Sequence, residues 1–207
     1  MRRAPLIIAL TALLASPLPA AEPIDLLFYT QHLEQTAPEV KLHYLHTRQG
    51  ASQALGPTLE SAILLRRETV GDDLEIIVTL DADGAGRQLD SFRGVPGNPI
   101  LMVFMESIVG SLSKATGGSP FYIRNRLKEG FAAGQVFDQA GESTILMEPF
   151  LTDRNRHRMG PFANLQIEMT LDPARPGMFG TLNASVRDPD DPELLYYLEE
   201  MRFVEAN

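Results

Sequence analysis

Between Gly97 and Phe131 the chain changes its hydrophobic period, and this change constrains the fold more than any other feature. Residues 100 to 105 are apolar without a break, and Ile108, Val109 and Leu112 then recur at helical spacing. A helix that is apolar most of the way round is a buried one. Asn98 suits the capping position and Pro99 the first helical position. The same grammar returns at residues 118 to 121, where "GSPF" repeats the order glycine, capping residue, proline, apolar residue set by "GNPI" at 97 to 100. Gly117 or Gly118 fits the left-handed position that ends the first helix. The block therefore reads as a helical hairpin at about 98–131.

Strand grammar lies on both sides. In "VKLHYLHTRQG", Leu42, Tyr44 and His46 share one side, and Lys41, His43 and Leu45 the other. Ile76, Val78 and Leu80 alternate with Glu75, Ile77 and Thr79, and "VGDD" and "ADGAG" read as turns. Beyond Gly134, "GESTILMEPF", "NLQIEMTLDP" and "GMFGTLNASVRD" continue the pattern, with Leu182, Ala184 and Val186 on one face. Residues 192 to 204 carry both a helix start at Asp191-Pro192-Glu193 and a strand pattern, and strand is preferred for 196 to 204. Ahead of all this, Leu26, Leu27, Tyr29 and Leu33 suggest a short amphipathic helix ending near Thr36. The expected fold class is α+β: a curved antiparallel sheet packed on an N-terminal helix and an inserted helical hairpin, in one domain over residues 21–207.

The first residues read as an address. Met1-Arg2-Arg3, a short apolar run and "SPLPAAEP" form a secretory leader, with cleavage expected after Ala20. The run falls short of the roughly 20 residues that span a bilayer. The expectation is a periplasmic protein that is not an integral membrane protein once processed. Without cysteine, its stability must come from a packed core.

Loss of Arg2 and Arg3 leaves 16 basic against 27 acidic residues, a formal charge of −11. A surface this acidic argues against a nucleic-acid partner, which needs cations to displace counterions. Residues 188 to 205 hold seven of the acids. "DPDDPE" lacks the spaced ligands and glycine of a calcium loop, so it reads as a solvated edge.

Few residues suggest chemistry. "KATGGSPF" has neither the spacing of a phosphate loop nor that of a nucleophile elbow. The free amides at Ser119 and the basic side chains Arg124 and Lys128 on the second helix remain candidate anion contacts. Arg154, Arg156 and Arg158, with His157, concentrate cations in what reads as a hairpin tip and form a second such candidate. His43 and His46 face opposite ways on a strand and cannot readily share a metal. No spacing links serine, histidine and acid into a triad, so no catalytic residue, cofactor or metal ligand is named. Met102, Phe104 and Met105 on the first hairpin helix, with Met147, Met159, Met169 and Met178 later, read either as core filling or as the lining of an apolar cavity.

The block "GNPILMVFMESIVGSLSKATGGSPFYIRNRLKE", residues 97 to 129, resembles one found in uncharacterised secreted proteins of Gram-negative bacteria. That resemblance brings no activity with it. The order of leader, helix, strands, inserted helices and strands is similar to periplasmic lipoprotein carriers, in which a curved antiparallel sheet wraps helices around an apolar cavity. The carrier likeness implies a non-catalytic protein that binds a hydrophobic small molecule or lipid near Met102, Phe104 and Met105. The alternatives are an accessory module with a protein partner in the cell envelope, and an unrecognised hydrolase.

Overall fold

The chain's two blocks of alternation become two antiparallel meanders. In the computed structural model, which describes residues 22–207 except 35, 72, 83–84, 95–96, 176 and 189, the first block gives β1 (Lys41–Gly50), β2 (Leu59–Val70), β3 (Asp73–Ala82) and β4 (Ala85–Arg93). The second gives β5 (Gln135–Gln139), β6 (Glu142–Met147), β7 (Gln166–Leu171), β8 (Phe179–Arg187) and β9 (Leu195–Ala206). The expected leader and its cleavage point lie outside the described residues, as does part of the "ADGAG" turn. Among the described residues the nine strands form one curved, open antiparallel sheet in the order β4-β3-β2-β1-β9-β8-β7-β6-β5. The final strand pairs with the first along nearly its whole length and joins the two meanders. Register shifts interrupt four of the ladders, and such bulges bend strands and increase twist.

This order leaves β4 and β5 at opposite edges, although they are consecutive in the chain. The connection between them must cross the sheet, roughly 38 Å at about 4.8 Å per strand spacing. The helical pair makes that crossing: α1 (Pro99–Thr116) and α2 (Pro120–Ala132). The 18 residues of α1 span about 27 Å at 1.5 Å each. Asn98 caps α1 by accepting from the Ile100 amide at 3.1 Å, and its own amide donates to the Gly177 carbonyl at 2.8 Å. Gly117 ends the helix in the left-handed conformation, its N–H bonded to Ser113 O.

The core lies between the helices and one face of the sheet. Leu42 and Tyr44 on β1, Ile63 and Leu65 on β2, Ile167 and Met169 on β7, and Leu182 and Ala184 on β8 are buried at every second position. From α1, Leu101, Phe104, Met105, Ile108 and Leu112 join the same cluster, and α2 adds Ile123, Leu127 and Phe131. Each such large side chain contributes about 1.5–3 kcal/mol on burial. Gly130 lets α2 approach β6 closely, since a Cβ there would meet Met147 Cε at 2.9 Å.

Three expectations need correction. The N-terminal helix is one π-helical turn, Asp25–Tyr29, and does not run to Thr36. Its Thr30 amide bonds back to Asp25 O, and the Leu26 carbonyl is taken instead by the His32 ring at 2.6 Å. The basic segment 154–158 does lie between two paired antiparallel strands, but not at a tight tip: the connection from β6 to β7 is long and carries two short 3₁₀ turns within Arg156–Asn164, separated by a kink at Gly160. An additional short edge strand, β5, follows α2. The ambiguous C-terminus is strand because β1 and β8 both present hydrogen-bonding edges to it, which a helix would leave unpaired.

Candidate functional site

The hairpin does not cover the concave face evenly. Between α1 and the β1–β4 half of the sheet lies a cavity of about 460 Å³, within the usual range for small-molecule sites. Ile63, Leu80, Leu89 and Phe92 wall it from the sheet, and Met102 and Val103 from α1. Its outer end opens beside edge strand β4, where Asp90 and Met102 are exposed. Its inner end reaches the centre of the sheet, where His46, Ser61, Ser107 and Met201 complete the lining. The site is therefore apolar along its length and polar at its depth.

That polar end rests on a buried carboxylate. Glu199, on β9, is 0% exposed. Its Oε1 lies 3.0 Å from His46 Nε2, and its Oε2 accepts from Ser111 Oγ at 2.9 Å and from the Tyr197 hydroxyl at 2.5 Å. Strand alternation produces the cluster: Tyr197, Glu199 and Met201 point to the same face of β9, and Arg48 and His46 stand opposite Glu199 and Met201 on β1. Ser107 and Ser111 sit four apart on α1, and so on one helix face above them. Arg48 reaches Ser111 Oγ at 3.5 Å and the Leu55 carbonyl at 3.2 Å. Burial alone would raise the Glu199 pKa. The hydrogen bonds from His46, Ser107 and Tyr197, with the charge of His46, outweigh it and hold the carboxyl below its ordinary range. Burial, and next the neighbouring Glu199 charge, push the Tyr197 hydroxyl well above its ordinary value. Glu199 is thus the ionised acceptor, and Tyr197 a neutral donor.

Ser61 stands directly across the strand pair from His46. It is only 6% exposed, lines the cavity, and its Oγ has no hydrogen-bond partner. No nucleophile–base contact is made there, and the Ser111 hydroxyl is committed to Glu199. The geometry is that of an apolar pocket with an unused hydrogen-bonding group in its lining.

The residues singled out from sequence are dispersed. Met102 lies at the cavity mouth, 41% exposed. Phe104 and Met105 are core residues outside the cavity lining; at about 100° per residue, Phe104 leaves α1 on a different side from Met102. Arg124 does not face an open anion site. It grips Glu106 of α1 at 2.6 and 2.7 Å, and Lys128 is exposed. Arg156 donates to Asn164 Oδ1 at 2.7 Å, and Arg154 is exposed. Arg158 and Ser119 do meet, with Tyr122 and Asn155, in a cleft of about 360 Å³ at the start of α2. Ser119 occupies the N-cap position of α2, but its side chain makes no capping bond.

Sequence reasoning passed over Ser61, Glu199 and the serines of α1. One signal was available: "YYLEEMRFV" places Glu199 between Tyr197 and Met201 on an apolar strand face, as "LHYLH" places His46 beyond Tyr44. No protein-family model matches the chain, and no curated protein matches its sequence. Among the described residues no helix is long and apolar enough to cross a membrane.

Proposed function

We propose that the protein is a periplasmic, non-catalytic binder of an apolar, lipid-like ligand, held between α1 and the β1–β4 half of the sheet. The cavity carries this reading: about 460 Å³ of space walled by Ile63, Leu80, Leu89, Phe92, Met102 and Val103. An apolar pocket with few convergent polar groups is the usual form of a small-molecule site. The exposed Met102 at its mouth supplies a flexible, adaptable side chain where a chain-like ligand would enter. The test is native mass spectrometry of protein released gently from the periplasm. An adduct of lipid-like mass is expected, and Val103→Trp, which fills the cavity, should abolish it. Protein that carries no adduct, and that fails to take up a fluorescent apolar probe in vitro, would remove the proposal.

A further inference from the structure

We infer that the ligand is a long-chain carboxylic acid, bound carboxyl-first, with Ser61 and His46 receiving its carboxyl group at the inner end of the cavity. The inference rests on the apolar-ligand reading and adds the identity and direction of the ligand's polar end.

A cavity meant only for hydrocarbon would gain from apolar side chains throughout. This one has the nearly buried His46 and Ser61 in its wall, and Ser61 is unpartnered. Buried hydroxyls are nearly always hydrogen-bonded, and an exception requires an explanation. Ser61 Oγ is such an exception, on a residue that lines the cavity and stands opposite His46 in the ladder. A ligand oxygen placed there would accept its proton. His46 holds Glu199 through Nε2, which leaves Nδ1 as the ring's second hydrogen-bonding atom.

The charges favour a carboxyl over other polar ends. Glu199 is ionised, and Arg48 stands one serine away, bonded to the Ser111 hydroxyl that Glu199 accepts from. The charges of Glu199 and Arg48 cancel. A carboxylic acid that enters with its own proton leaves that sum unchanged, and its two oxygens can meet Ser61 Oγ and the His46 ring together. A phosphate head would bring up to two negative charges to a floor that holds Glu199, past Asp90 and Glu106 at the mouth. Burial of uncompensated charge is too costly for that. An alcohol has one oxygen to meet both Ser61 and His46, and a methyl ester has no proton to donate to the ring.

The experiment compares palmitic acid, hexadecanol and methyl palmitate, three probes with the same hydrocarbon chain, by titration of delipidated full-length protein. The acid is expected to bind up to about tenfold more tightly than the ester or the alcohol, the factor for one further hydrogen bond. In Ser61→Ala acid binding should weaken by a similar factor. The variant should fold, because it removes an unpartnered hydroxyl, and its unfolding midpoint checks this. Equal binding of all three probes by the natural protein would overturn the inference and leave the apolar-ligand reading standing. So would acid binding that is unweakened in Ser61→Ala. If none of the three binds, the apolar-ligand reading falls, and this inference with it.

Discussion

Glu199 shows how one polar residue can be kept on an apolar face. Its two oxygens receive bonds from His46, Ser111 and Tyr197, which together replace the lost water. Breaking such a buried group from one side is costly, because the partners are left unpaired. Glu199→Ala is therefore expected to destabilise the protein by about 3–5 kcal/mol, and Glu199→Gln, which keeps an acceptor oxygen, by less. Urea unfolding of the two variants measures the difference. A loss below 1 kcal/mol in the alanine variant would show that the cluster does not hold the sheet to α1. A second buried group sets a pH dependence. Burial lowers the His32 pKa, the hydrogen bond to Leu26 O opposes this less strongly, and Nδ1 has no partner. The unfolded chain then takes up a proton near pH 6.5 that the folded protein resists. Stability should fall as pH drops below about 6.5 and level off below the folded pKa. Glu199 has the opposite character, and its contribution is lost only at more acid pH, as its lowered folded pKa is crossed. His32→Gln should flatten the slope between pH 7.5 and 5.5. An unchanged slope in thermal melts would exclude His32 as its source.

The two hairpin helices begin with the same sequence grammar and different chemistry. Asn98 makes the capping bond to Ile100 and a second bond to Gly177 O, so it ties α1 to the loop before β8. Ser119 stands at the matching position of α2, exposed and without a capping bond. Asn98→Ala is expected to cost about 1–2 kcal/mol, the price of a cap with a further buried partner. Ser119→Ala is expected to cost less than about 0.5 kcal/mol. Chemical denaturation of the pair checks this. Equal losses would mean that Ser119 caps α2 in solution. The elements themselves were legible in the sequence because their period is local: both hairpin helices and most strands follow directly from residue spacing. The N-terminal segment was not legible, because its π-turn is fixed by a histidine six residues away. Nor was the 154–158 segment, because a long connection between paired strands has no local period to read, and its two 3₁₀ turns are separated by the kink at Gly160.

The whole sheet depends on one long-range pairing. β9 pairs with β1, residues far apart in the chain such as Leu42 and Ala206, and joins two meanders that would otherwise be independent. Removal of Leu195–Asn207 is expected to abolish cooperative unfolding, since it opens the sheet at its centre and deletes Glu199, Tyr197 and Met201. Near-ultraviolet circular dichroism and urea titration of the truncated chain would show this. A sigmoidal transition of native amplitude would refute it. Non-local pairing of this kind also predicts slow folding, because the loop must close before the contacts form.

The sequence by itself determined the class of this protein. A helical hairpin between two runs of alternating strands, with no cysteine, specifies an antiparallel sheet whose stability comes from one apolar face. Only the tertiary structure decided the site. Ser61, His46, Glu199 and Ser107 come from three strands and a helix, and no local period relates them. They meet because β9 inserts beside β1, and because the hairpin must cross from one edge of the sheet to the other. The methionines chosen by side-chain type illustrate the same limit. Met102 reaches the cavity and Phe104, two residues on, does not, because a helix turns each residue by about 100°, and only the packing of α1 shows which side faces the empty space.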